Sequence, residues 1–415
     1  MSAAKAGLDR TLAWNFKPLA CHDLGGHGAV GEGMALQIAP DGRRILWLAH
    51  AAGPMSFSGV DVSDPRESRL VVQAALPHAK VKSNSLDVAG NTLVVAYEAS
   101  KPGLKPAGFD LFDVAAPEKP RLISHFDRSG PHSRGVRAVW FADGEFVHMA
   151  SGAPDFQPRD ARDDQCYMIA DVRDPARPVE AGRWWAAGTC EGDADVSPRR
   201  IKGALEVGQS GFRAHNACVF PERPDRAYVA YLDYGVVILD ISDKARPQVL
   251  GRWSSSPPNA GFTHTALPLL SRNLMLVSDA SIVDNAADWP KLVWMLDVRA
   301  EGNPMPMGTL PMPPKDVFAK RGGRFGANNL HRNPPAPGAW RSDTIVFGTF
   351  FNGGLRAFDV ANAHRAEEIA YYVPAAPAGS PAGAVQLDGV FADDRGIVYT
   401  ADRHSGGLYI VETDF

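Results

Sequence analysis

GVVILDISDKARPQVLGRW, Gly235 to Trp253, decides the fold of this chain. It is a β-branched run that ends in an acid, then a turn containing proline, then a second short apolar run. The same order recurs at GVDVSDPRES (Asp61), FDLFDVAAPEKPRLISHF (Asp113), MIADVRDPARPVEAGRW (Asp171), WMLDVRAEGNPMPMGTL (Asp297) and RAFDVANAHRAEEIAYY (Asp359), and at YIVETDF with Glu412 in the acid's place. Successive anchor acids are 52, 58, 69, 57, 62 and 53 residues apart. That period suits a propeller blade and is too long for ankyrin or tetratricopeptide units.

Two further strand candidates precede each anchor, as ACVF and AYVAYLD precede VVILDIS, so each unit carries four short strands. Runs rich in Val, Ile and aromatic residues, punctuated by Gly, Pro and Asp, leave little room for helices. The chain therefore reads as an all-β, seven-bladed propeller of four-stranded blades, one domain over residues 1–415. The seventh copy stops after its third strand and would leave a bare edge. NFKPLACHDL, Asn15 to Leu24, resembles the missing piece, with Lys17-Pro18 where blade four has Arg246-Pro247. It is expected to close the ring as the outer strand of the last blade.

Composition narrows the partners. With 43 basic and 47 acidic residues and no long charge run, the chain has no electrostatic footprint for nucleic acid or an anionic membrane. The first residues lack the apolar core of an export signal, which gives a cytoplasmic expectation. Four cysteines without C-x-x-C spacing argue against a zinc knuckle and read as buried thiols; in an exported protein, Cys166 and Cys190 form the candidate disulfide. The anchor acids read as structural, since an Asp before a turn accepts backbone N–H groups.

Propeller ligands gather where the loops entering the inner strands meet those joining strands two and three. His215 of FRAHNACVF aligns with His264 of FTHTALPL, and His331 of NNLHRN falls within a residue or two. These three, with His404 from the blade-seven turn as a fourth ligand or an acid/base, are the expected holders of a divalent transition metal such as iron, zinc or manganese. Glu98, Asp279 and Asp402, carboxylates at or near strand-two ends, are the expected general bases or orienting acceptors. Glu32, His50, His132, Arg134, Arg137, Asn84, Asn329 and Gln386 are expected to line a small-molecule site. The long connection from Ala186 to Gly211 is a candidate ligand loop.

The repeats resemble the LVIVD-repeat propeller proteins. VVILD in blade four and YIVET in blade seven carry the likeness, which extends to FTHTALPL, NNLHRNPP, FNGGLRAFDV, AYYVP and FADDRGIVYTADRHSGGLYIVE, as in the bacterial branch. The resemblance implies the propeller fold and no particular activity. The residues themselves point to a metal-dependent hydrolase or lyase acting on a small organic substrate. The alternatives are a non-haem iron oxygenase, by analogy with carotenoid-cleaving propellers, and a non-catalytic binding scaffold.

Overall fold

The computed structural model describes residues 10–198 and 210–415. Seven antiparallel sheets succeed one another along the chain, each a blade. Blade one is Val30–Ile38, Arg44–His50, Met55–Asp61 and Arg69–Ala75. In blade two the inner strand is split into Val81–Lys82 and Leu86–Ala89, followed by Thr92–Ala99, Gly108–Asp113 and Arg121–Asp127. Blades three, four and five begin at Val136–Trp140, Asn216–Phe220 and Thr263–Leu269, each with three further strands in meander order. Blade seven begins at Leu387–Ala392.

Its outermost strand comes from the other end of the sequence. Phe16–His22 pairs antiparallel with Leu408–Thr413, Phe16 opposite Thr413 and His22 opposite Leu408. Just before it, Leu12–Trp14 pairs with Glu367–Val373 of blade six, a strand that the sequence reading did not foresee. Asn15 joins the two in the left-handed region at φ 51°, with its side-chain amide donating to the Ile369 carbonyl at 2.8 Å. One short segment thus ties two neighbouring blades together.

Blade six also departs from expectation on its inner side. GANNLHRN forms no regular strand; it follows the blade through a single bridge, Leu330 to Gly348, with His331 N–H on the Phe347 carbonyl and Thr349 N–H on that of Asn329.

The repeated signature is explained by two local devices. Each anchor aspartate accepts the N–H two residues on through Oδ1, at 2.8–3.0 Å, from Ser63, Ala115, Arg173, Ser242, Arg299 and Ala361 in turn. Just before each anchor the pairing of strands three and four slips by one residue, at Gly59/Val60, Leu111/Phe112, Ile169/Ala170, Ile238/Leu239, Met295/Leu296 and Ala357/Phe358. A bulge sharpens the right-handed twist that a blade needs.

Both faces of each blade pack on neighbours, so its middle strands are apolar without alternation. Val236, Val237, Ile238 and Leu239 are all fully buried. Trp47 and Phe57 of blade one pack with Leu93, Val95 and Tyr97 of blade two, and Tyr228 and Ile238 of blade four with Met275 and Val277 of blade five. Among the described residues no helix is long and apolar enough to cross a membrane.

Candidate metal and ligand site

Inner strands start with a second set of bulges, and these place the chemistry. Pairing with strand two slips between Val30 and Met34, Val136 and Ala138, Thr263 and Thr265, and Leu387 and Gly389. The residues left outside the ladder include Glu32, Arg137, His264 and Asp388. A bulge re-aims its side chain, and all four line one cavity of about 290 Å³ at the mouth of the ring. His215, immediately before Asn216–Phe220, joins them, and every blade contributes at least one wall residue.

Two imidazoles and one carboxylate converge there. The His215 and His264 rings lie 4.1 Å apart at their centroids, tilted by 43°. Glu32 Oε2 is 3.5 Å from His264 Nε2 and 3.8 Å from His215 Nε2. One ligand atom from each residue falls within 4.8 Å of the other two, the only such metal-competent group among the described residues. Neither nitrogen of the buried His215 has a hydrogen-bond partner, nor has Glu32 Oε2. His264 Nδ1 lies 3.2 Å from Thr265 Oγ1, leaving Nε2 as its face toward Glu32. Burial, then the neighbouring His264, holds the His215 imidazole well below its usual pKa, so it is neutral. Burial works to raise Glu32, but His264, His215 and Arg137 outweigh it and hold the carboxyl well below the usual range.

The backbone around Glu32 explains why it sits between two glycines. The Glu32 and Gly33 N–H groups both donate to the Asn84 carbonyl at 3.0 Å. A Cβ on Gly31 would stand 2.8 Å from that same oxygen, and one on Gly33 would collide with the Leu86 amide nitrogen. Gly33→Ala is therefore expected to cost about 1–3 kcal/mol through overpacking, read as a lower denaturant midpoint with an unchanged slope.

Charged residues surround the triad. Arg137 bridges Glu32 Oε1 (3.0 Å) and Glu98 Oε2 (3.1 Å). Glu98, 1% exposed, also meets Arg134 at 2.8 Å, Lys82 at 3.1 Å and the Gln165 amide at 3.3 Å. Burial opposes its charge, yet Lys82, Arg137, Arg134 and Arg213 together keep it well below the ordinary carboxylate range. Asp164 in turn receives Arg134 and Arg213.

Several residues expected at this site are occupied elsewhere. His331 does not reach the pair: its Nε2 meets the Trp340 carbonyl at 2.9 Å and its Nδ1 accepts the Ala392 N–H at 3.2 Å. Burial pushes it down to about 4, so it is a neutral backbone clamp. Asp279 is buried outside the cavity, accepting from Ser255, Thr263 and Trp294, and Asp402 accepts the Gln386, His404 and Ser405 N–H groups. Neither carboxylate lines the cavity. His50 faces Ser58 Oγ at 2.7 Å, with burial first among the causes that push it to about 4. Neither it nor the half-buried His132 lines the cavity.

Others fall on the walls or just behind them. Arg134, Arg137, Asn84 and the half-buried His404 line the cavity, although His404 is not part of the triad. Asn329 faces the narrower channel beneath, with its amide on the Asp388 carbonyl at 3.0 Å. Gln386 stands behind the wall, and its own backbone and side chain hold two loops in place: Oε1 accepts the Arg324 N–H and its carbonyl accepts the Arg403 N–H. Of the connection from Ala186 to Gly211, residues 199–209 lie outside the described residues. Glu32 entered as a wall residue; its isolation between glycines in an apolar strand was the available sign of a larger part.

Residues 225–254, most of the second strand of blade four with the third strand, the turn and the whole fourth strand, match the LVIVD repeat family model. The chain is a β-propeller that carries an LVIVD repeat. No curated protein matches it in sequence. Solved structures similar to this LVIVD-repeat propeller include a protein from Lactobacillus plantarum, with TM-score 0.53 and 10% identity over 82% of this chain and 87% of that one. Another is the β-propeller domain of Cps50 (Swd1) from Myceliophteria thermophila, with TM-score 0.53 and 11% identity over 96% and 99%. At these identities the likeness concerns the fold of the LVIVD-repeat chain alone.

Proposed function

We propose that the cavity is the active site of a metal-dependent enzyme acting on a small organic molecule, with Glu32, His215 and His264 as ligands of one divalent transition metal. The observation that carries this reading is the convergence of unpartnered buried atoms. Leaving one polar group unsatisfied in an interior costs about 1–3 kcal/mol, and here Glu32 Oε2 and both His215 nitrogens are left so. A cation among them removes that cost. Ligand atoms about 2.0–2.1 Å from a tetrahedral ion stand roughly 3.3 Å apart, and the Glu32–histidine separations, 3.5 and 3.8 Å, are close to this.

Two histidines and a glutamate suit zinc with an open position, or iron(II) in a two-histidine, one-carboxylate site. Bound there, the ion activates water or polarises a substrate oxygen. Among the chain's own residues, His404 is the cavity-lining group available to move a proton. Burial leads the causes that lower its pKa, so it is a neutral base near pH 7. Hydrolysis or elimination is the preferred chemistry. The same donor set supports oxygen-dependent cleavage as the second reading if the ion is iron.

Elemental analysis of the protein purified without an affinity tag or chelator tests the reading, beside His264→Ala. About one zinc, iron or manganese per chain, lost in the variant, is the expected result. No stoichiometric metal, even after reconstitution, would leave a binding scaffold as the better account.

A further inference from the structure

Charge in the cavity wall is unevenly matched. Six cations and three carboxylates line it. Toward blades two to four the account nearly closes, because Glu98, Glu32 and the adjacent Asp164 are laced to Lys82, Arg134, Arg137 and Arg213. Toward blades six and seven it does not. Arg403 has only a 3.9 Å approach to Asp388 Oδ2, and Asp388 Oδ1 already accepts from Asn328. The Arg324 guanidinium makes no hydrogen bond or ion pair among the described residues.

These two half-buried arginines are held as a pair. Both guanidinium carbons lie 5.7 Å from the centroid of the Phe351 ring. Gln386 accepts a backbone N–H from each, fixing the loops that carry them. Burial and then Arg403 depress Arg324 to about 10, outweighing Asp388, Asp284 and Asp288, and it remains protonated near neutrality.

We propose that Arg324 and Arg403 form an anion-binding subsite, so that the molecule taken into the cavity carries a carboxylate or a phosphate group. Two guanidinium forks on rigid backbone recognise either group through paired N–H donors. The anion supplies the negative charge that the wall lacks, and Phe351 gives the forks an apolar backing. The inference rests on reading the cavity as a small-molecule site and is independent of the ion at Glu32, His215 and His264.

Calorimetric titration with inorganic phosphate, and separately with malonate, at an ionic strength fixed with chloride, tests it. One or both should bind wild-type protein at one per chain and bind about tenfold or more weakly to Arg324→Gln and to Arg403→Gln. Metal content of the Arg324→Gln and Arg403→Gln proteins should equal that of wild type, which separates this site from the metal. Preference between the two anions names the group. Arg324→Lys, which keeps the charge and loses the fork, should weaken binding less than Arg324→Gln, and it serves if the glutamine variant does not fold. No binding of either anion to wild type beyond the chloride control would overturn the proposal, as would binding that survives both arginine substitutions or a loss in those variants that only follows loss of metal.

Discussion

Glu32→Gln is expected to lower metal affinity by at least about 100-fold, since losing even an outer-shell partner commonly costs 10–100-fold. The substitution keeps volume and removes only the charge. Oε2, which faces both imidazoles, becomes part of a neutral amide that is a poor ligand for a transition metal. Arg137 loses its 3.0 Å ion pair with Glu32 but keeps the one to Glu98 at 3.1 Å, so the blade interface should survive and the protein stay folded. Competition for the ion against a coloured chelator measures the loss directly. His331→Ala is the contrasting variant: both its nitrogens serve backbone groups, so metal content should be unchanged while stability falls. A Glu32→Gln protein that holds its metal as wild type does would remove the carboxylate from the ligand set.

The second large effect is expected at Glu98, and it concerns folding. Its buried carboxylate stands among Lys82, Arg134 and Arg137, and Glu98→Ala would leave these cations facing one another in the cavity wall. Breaking a buried ion cluster from one side costs about 3–5 kcal/mol. Glu98→Gln should cost less, because the side chain still fills the site and meets Gln165.

The pH dependence follows from the direction of the shift. Glu98 has a folded pKa well below its unfolded value of about 4.3. Its contribution is therefore fully present above that value and is lost as pH falls through the folded pKa. Wild type should lose stability steeply below about pH 4.3, and the glutamine variant less steeply. Urea midpoints across the acid range compare them. Parallel curves would mean that Glu98 titrates alike in the folded and unfolded chain, so that its ion pairs add no net stability.

The ring was readable in the residues because its signature is local. An acid that caps a turn through its own side chain, followed by proline and a short apolar run, announces the edge of a blade wherever it occurs. Lys17-Pro18 carried the same signal at the far end of the sequence, and Phe16–His22 lies along blade seven in the structure. Leu12–Trp14 had no such mark, since three residues on a sheet edge satisfy no motif.

The cavity was harder to read, for a geometrical reason. Aligning inner strands brings His215 and His264 to equivalent heights, and the structure sets their rings side by side. The same alignment moves His331 to that height, but blade six has no regular inner strand to hold it there, and two backbone groups take its nitrogens instead. Glu32 belongs with the histidines because a three-residue bulge, Gly31 to Gly33, interrupts the pairing of its strand. Nothing in hydrophobic periodicity records a bulge. Asp279 stands at a strand-two end, where Glu98 also stands, yet neighbouring hydroxyls and an indole consume it.

The inner-strand bulges also bear on how this molecule can change. A residue in the ladder is tied to its neighbours by the pairing of its own backbone, so altering it disturbs the sheet. Glu32, Arg137, His264 and Asp388 stand outside the ladder, and exchanging their side chains alters what the mouth of the ring holds without breaking the pairing of the strands. The blades act as a fixed socket with replaceable contacts, and a new specificity lies a few substitutions away, at positions the scaffold already leaves open.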